Sequence, residues 1–248
     1  MNDGMKHKLL PFLLLMLLAP ASQADETSIF KFSGFGTLAA STSNNHAADY
    51  RISMYQKDGL GYSRSVETGL DSVLGLQTNA TFTPELQGVV QVVVDRNYDN
   101  TWKPDLEWAN LKYDFEHGIH VRLGRVMAPT FMQSDYRSVG YAQTMARPAT
   151  ELYFANPITH LDGIGVGGSL MLGPGQLGMQ LIHGGSRNKL DSRLGRSELL
   201  FHNLWIADAD YRIDDLRLHA GISQAIVETT GDSIQLLQNM LQNLLGRR

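Results

Sequence analysis

Three groups of residues in this chain have the types that do chemistry. His183-Gly-Gly-Ser186 places an imidazole close to a hydroxyl, and His219 follows Asp208 and Asp210. Either set could supply the nucleophile, base or orienting carboxylate of a hydrolase. Such a triad is defined by geometry, which spacing on different strands does not show. His183 to Ser186 reads more simply as a polar strand end. His117 and His120 straddle a turn and a strand, without the spacing of a metal-ligand pair. We therefore expect no catalytic residue, no metal and no cofactor. The third group lies in residues 121–154, where Arg122, Arg125, Asp135 and Glu151 accompany Phe131, Tyr136, Tyr141 and Tyr153. That stretch opens with strand alternation and loses it after Gly124-Arg125, leaving about 30 residues of neither period. A loop of that length is functional or disordered, and its aromatics argue for order.

The elements that must position these groups begin behind an export signal. Lys6 and Lys8 precede a short apolar run at 9–18, and Ser22-Gln23-Ala24 offers small residues for cleavage. Residues 1–24 are thus expected to be a signal peptide. Cysteine is absent, so disulfides hold nothing together. The charge balance of 21 basic to 25 acidic residues gives no footprint for nucleic acid. Beyond residue 24 no apolar run reaches the length of a membrane helix, but barrel strands hide their apolar residues at every second position.

Nine such alternating segments follow, at 29–40, 70–82, 87–94, 107–115, 119–125, 163–172, 177–183, 201–213 and 216–227. The connections read alternately long and short, with polar loops at 41–69, 95–104 and 184–198 and tight turns such as Thr83-Pro84-Glu85 and Gly173-Pro174-Gly175. Short turns at one end and long loops at the other mark a membrane barrel. The polar faces carry charge as well as Ser and Thr, which suits a wet lumen. Leu111, Tyr113, Val121, Leu123, Leu170, Ala207, Tyr211 and Leu218 should face lipid. Lys112, Asp114, Arg122, Asp210 and His219 should face inward. The expected fold is all-β: an antiparallel transmembrane β-barrel meander, incomplete at about nine strands, with the long third loop folded inward. Residues 25–228 form this region. Residues 229–248 have helical spacing, with Ile234, Leu237, Leu241, Leu244 and Leu245 between Gln and Asn.

Gly124-Arg125 at the end of the fifth segment, then Pro129, Asp135 and a long loop, resembles the general diffusion porins of Gram-negative outer membranes. The opening strand FKFSGFGTLAAS is similar too. The likeness covers the N-terminal part of such a barrel: the chain has about nine segments, ends in Arg248 instead of an aromatic residue, and has Val73 where the family commonly has an arginine. The resemblance implies an outer-membrane, homotrimeric channel among lipid and lipopolysaccharide, passing small hydrophilic solutes and ions. It implies a constriction of Arg125 and Arg122 facing Asp135 and Glu151. Strand parity would leave Arg125 on the lipid side with Leu123, so this constriction requires a bulge at Gly124. Two rivals stand beside the porin: an outer-membrane β-barrel hydrolase, and a non-conducting structural or adhesion barrel.

Overall fold

The computed structural model describes residues 28–53, 56, 58–145, 147–153, 156–192 and 195–231. The expected signal peptide at 1–24 lies outside these residues, as does the helical tail expected at 229–248 except for Thr229, Thr230 and Gly231, which are strand and not helix. Among the described residues nine long strands form one antiparallel sheet in strict chain order. They are β1 Phe30–Thr37, β2 Val73–Thr81, β3 Leu86–Asp95, β4 Asp105–Asp114, β5 Ile119–Met127, β6 His160–Leu172, β7 Gly175–Ser192, β8 Gly195–Ile213 and β9 Leu216–Gly231. The fold is the expected all-β barrel meander. Among the described residues β1 and β9 are paired only on their inner sides, so the sheet is open at both edges.

The turns form for local reasons. Between β2 and β3 the Thr83 hydroxyl accepts the N–H groups of Glu85 and Leu86 at 3.3 and 3.0 Å. Between β4 and β5, His117 and Gly118 both take positive φ, 66° and 75°. Between β6 and β7, Gly173 takes φ 60° at the first position of a two-residue turn, a conformation that costs glycine little.

Alternation then sorts the faces. Leu123 is 61% exposed, and Phe32 and Ile222 are each 74% exposed, on a face that also shows Leu76, Leu111, Tyr113, Val166, Leu170 and Leu218. A water-soluble monomer does not leave so large a contiguous apolar surface bare. The opposite face lines a cavity with Gln77, Lys112, Arg122, Asp208, Asp210, Arg217 and His219 among its walls.

Three expectations need correction. The charged loop expected at 184–198 is instead a ribbon: β7 continues to Ser192, β8 starts at Gly195, and the two stay paired across a register shift at Gly184/Ser186, while β8 pairs with β9 across another at His202/Trp205. From Ser197 onward β8 is paired on both sides, with β7 and with β9, so its backbone hydrogen bonds are met and charged residues do not stop the ladder. The alternation of long and short connections consequently fails at β7–β8. The ribbon nonetheless projects from the end of the sheet that carries the long loops. Second, the loop after β1 is partly built from two short ladders, Ser41–Thr42 with Val66–Glu67 and Asp49–Tyr50 with Leu60–Gly61. Third, no bulge occurs at Gly124. Its φ is 121°, yet the register runs unbroken through Gly124↔Gly163 and Arg125↔Asp162 on one side and Ala109↔Arg125 on the other. Gly124 absorbs an unusual dihedral without adding a residue, and parity does not flip. The bulge in this region lies in the neighbouring pair, where Gln91 opposes Trp108 and Val92 opposes Leu106. This leaves Glu107 as the extra residue.

A small apolar cluster closes the inner face near the long loops. Val126, Ala128, Leu161, Ile182, Leu204 and Ile206 are buried together, with Ile158 and Phe201 against them. This cluster seats the root of the long loop between β5 and β6.

Candidate functional site

The loop from 128 to 159 decides the shape of the inner face. Ala128 and Pro129 are buried at its start. Phe131 packs on Tyr153 with ring centroids 5.0 Å apart, and the Tyr153 hydroxyl accepts the Gln133 N–H at 3.0 Å. Arg137 reaches Glu107 on β4 at 3.4 Å, which the bulge there makes accessible. Gly140 lies against Thr37 at the end of β1, where an added Cβ would stand 2.8 Å from the hydroxyl oxygen. Arg147 donates to Asp71 at 2.5 Å and to the Tyr50 hydroxyl at 3.0 Å. The loop therefore crosses the concave side from β5 to β1. Pro129, Phe131, Met132 and Asp135 from it line the same cavity as the strands.

The cavity measures about 680 Å³. Its floor is polar and ordered: Gln91 donates to Gln77 at 2.7 Å, and Gln77 to Asn79 at 3.2 Å. Lys112 and Asp114 pair at 2.7 Å along β4. Arg122 sits beside Lys112 across the β4–β5 ladder. It forms no direct ion pair among the described residues, but its charge acts on Asp114 and Asp208. On the far wall, Arg217 holds Asp210 at 2.7 Å, and the charge of Asp135 on the loop acts on Arg217. Between the two walls β6 contributes Gly163, Gly165 and Gly167, whose register sets them beside Gly124, Arg122 and His120. A side chain at Gly167 would meet the His120 ring at 2.7 Å. The bare glycine row keeps this part of the wall low and the space above it open.

The four residues expected at a constriction do not meet. Arg122 and Asp135 line the cavity. Arg125 stands on the other face with Leu123, gripping Asp162 through Nε and Nη2 at 2.8 and 2.7 Å and the Leu106 carbonyl through Nη1 at 3.0 Å. Pairing with Asp162 is what makes a guanidinium tolerable there. Glu151 is exposed on the single-turn helix Thr150–Tyr153. Among the described residues the charge of Asp135 acts instead on Arg217, which lies far along the chain and which the sequence did not single out.

The hydrolase candidates also separate. The His183 ring stacks on Trp205 at 4.0 Å, while Ser186 is buried past the bulge, where its hydroxyl accepts from Asn188 at 3.1 Å. His219 lies 3.4 Å from Asp210, with no hydroxyl hydrogen-bonded to it among the described residues. A nucleophile activated by a base needs that contact.

At the loop end of the sheet, Glu67 and Arg96 form a buried ion pair, their side chains 4% and 2% exposed. Burial alone would raise the Glu67 carboxyl. The hydrogen bond from the Gly69 N–H and the charges of Arg96 and Arg64 outweigh it and hold the group below its ordinary value. This pair fastens the loop after β1 to the one after β3.

No protein-family model and no curated protein sequence matches the chain. Among solved structures it is similar to a loop-deletion mutant of OmpT, an outer membrane protein of Vibrio cholerae, at 9% identity and a TM-score of 0.34, covering 82% of this chain and 72% of that one.

Proposed function

We propose that the chain forms the wall of a water-filled channel in the outer membrane, passing small hydrophilic solutes and ions by passive diffusion. It is read as a porin and not as an enzyme. The observation that carries this reading is the opposition of its two faces. The outer face is apolar and bare. The inner one is charged, and the long loop crosses it to bring Asp135 into the same cavity as Arg122 and Arg217. Opposed charges across a narrow, water-poor passage set up a transverse field, and charged side chains lining a passage give a pore its selectivity. Only a closed sheet satisfies every backbone group in lipid, where each unpaired one costs several kcal/mol. Function in this reading therefore requires the edges at β1 and β9 to be covered. Lipid and lipopolysaccharide are the surroundings of such a wall, and a homotrimer is the assembly we propose.

The test is single-channel conductance of the folded protein in planar bilayers. Discrete steps are expected, and Arg122→Ala should shift ion preference toward cations. Folded, membrane-inserted protein that carries no current would overturn the channel and favour a structural barrel.

A further inference from the structure

We propose that Asp208, Asp210 and His219 form a binding site for a divalent metal ion of the zinc type on the inner wall. The site stands whether or not the cavity conducts. One donor atom from each residue lies within 4.8 Å of the other two. The arrangement follows from the hairpin. A two-residue turn after Ile213 pairs it with Leu216, which places Asp210 opposite His219 and Asp208 opposite Gly221. Successive inward residues of β8 thus bring two carboxylates to one imidazole.

Three observations separate this cluster from a solvated charge group. Asp208 is 8% exposed, and its Oδ1 has no hydrogen-bond partner among the described residues. The ring nitrogens of His219 are likewise buried without a hydrogen bond among the described residues, Nδ1 having only its longer 3.4 Å contact to Asp210. A buried polar atom left unpaired costs about 1–3 kcal/mol, and a ligand that takes it up recovers that loss. Second, the space is provided. Gly221 and Gly178 flank the aspartates on the neighbouring strands. A Cβ at Gly221 would sit 3.5 Å from the Asp208 Cβ and 3.8 Å from His219 Nε2. Third, Asp210 is held as a ligand needs to be. Arg217 binds its Oδ1 at 2.7 Å, leaving Oδ2 turned to His219 Nδ1 at 3.4 Å. Bonds of about 2.0–2.1 Å around a tetrahedral ion put neighbouring ligands roughly 3.3 Å apart, so this pair already has the required spacing. An outer partner such as Arg217 orients a ligating carboxylate.

The donor set chooses the ion. One imidazole nitrogen with two carboxylate oxygens suits zinc, cobalt or nickel, whereas magnesium and calcium take oxygen alone. Three protein ligands leave a fourth position facing the cavity, the pattern of a zinc ion that also holds water or an exchangeable anion.

The experiment is zinc titration of the folded, tag-free chain in detergent, read by calorimetry, with cobalt absorption as a second readout. One saturable site per chain is expected, with visible cobalt bands of four-coordinate intensity. Asp208→Asn and His219→Gln should each weaken binding at least tenfold. Gly221→Val, which alters no ligand and fills the space beside His219, should do the same. His202→Gln serves as the control, because His202 pairs with Glu228 at 3.3 Å elsewhere on β8 and β9; it should leave binding unchanged. Millimolar magnesium or calcium should not compete. Each variant is first shown to be folded by its heat-modifiable migration. Absence of a saturable zinc site overturns the proposal, as does binding that survives both Asp208→Asn and His219→Gln in folded protein, or binding lost with His202→Gln.

Discussion

Replacing Glu67 by Gln removes one charge from the Glu67–Arg96 pair and leaves the Arg96 guanidinium buried without its counter-ion. Both side chains are nearly inaccessible, at 4% and 2%. Removing one partner of a buried pair costs about 3–5 kcal/mol. The Arg64–Glu67 contact adds little, because Arg64 is 40% exposed and exposed pairs contribute below about 1 kcal/mol. The fastening is local, so the loss should appear as opening of the loop after β1 with the sheet intact. At about 1.4 kcal/mol per tenfold change, a loss of about 3 kcal/mol raises the open population roughly a hundredfold. Trypsin cleavage at Arg51 and Arg64 measures that population when opening is fast relative to cleavage. The pH dependence has a fixed sign. The Glu67 carboxyl is held below its ordinary value of 4.5. Its stabilisation is therefore complete above that value and is lost as pH falls through the lower folded value. Hydrogen exchange of the Gly69 amide, corrected for its intrinsic pH dependence, should accelerate in that acid window in the parent protein and not in Glu67→Gln. Pairing Glu67→Gln with Arg96→Met should recover much of the loss, since an apolar pair carries no buried charge. Trypsin rates within twofold of the parent would refute the reasoning, as would an acid response that persists in Glu67→Gln.

Arg147→Ala should free the long loop from Asp71 and Tyr50; in a conducting assembly, larger and noisier current steps would show it, and an unchanged trace would count against the loop as the narrowing element. Arg125→Ala should leave ion selectivity unchanged, because its guanidinium is bound to Asp162 on the apolar face; a shift as large as that of Arg122→Ala would contradict the placement. Gly75→Val should loosen β1, because a Cβ at Gly75 would stand 2.2 Å from the Phe35 ring that covers it. Overpacking of that kind costs about 1–3 kcal/mol, and the folded band should lose heat resistance; no change in its unfolding temperature would show that Phe35 has another place to go.

Strand number and facing were legible in the sequence because both are local. Period-two alternation put Lys112, Arg122, Asp210 and His219 on the inner side and Leu111, Leu123, Leu170 and Leu218 on the outer one, where the structure has them. Turn chemistry at Thr83, Gly173 and Asp214 then fixed the neighbours, and a two-residue turn at 214–215 already implies that Asp210 opposes His219. The ribbon at 184–198 was missed because its charges look like a loop's, although β8 there pairs with both β7 and β9. Gly124 shows the reverse case: a glycine admits a bulge without requiring one, and only the two neighbouring ladders show that parity holds and Arg125 stays outside. The partners of the long loop were beyond the sequence altogether. Asp71, Thr37 and Glu107 meet it from strands and loops distributed over the first half of the chain, and Arg217 feels its charge from the last strand. A segment without a period carries no record of where it lands; that is decided by which surfaces the curved sheet brings within its reach.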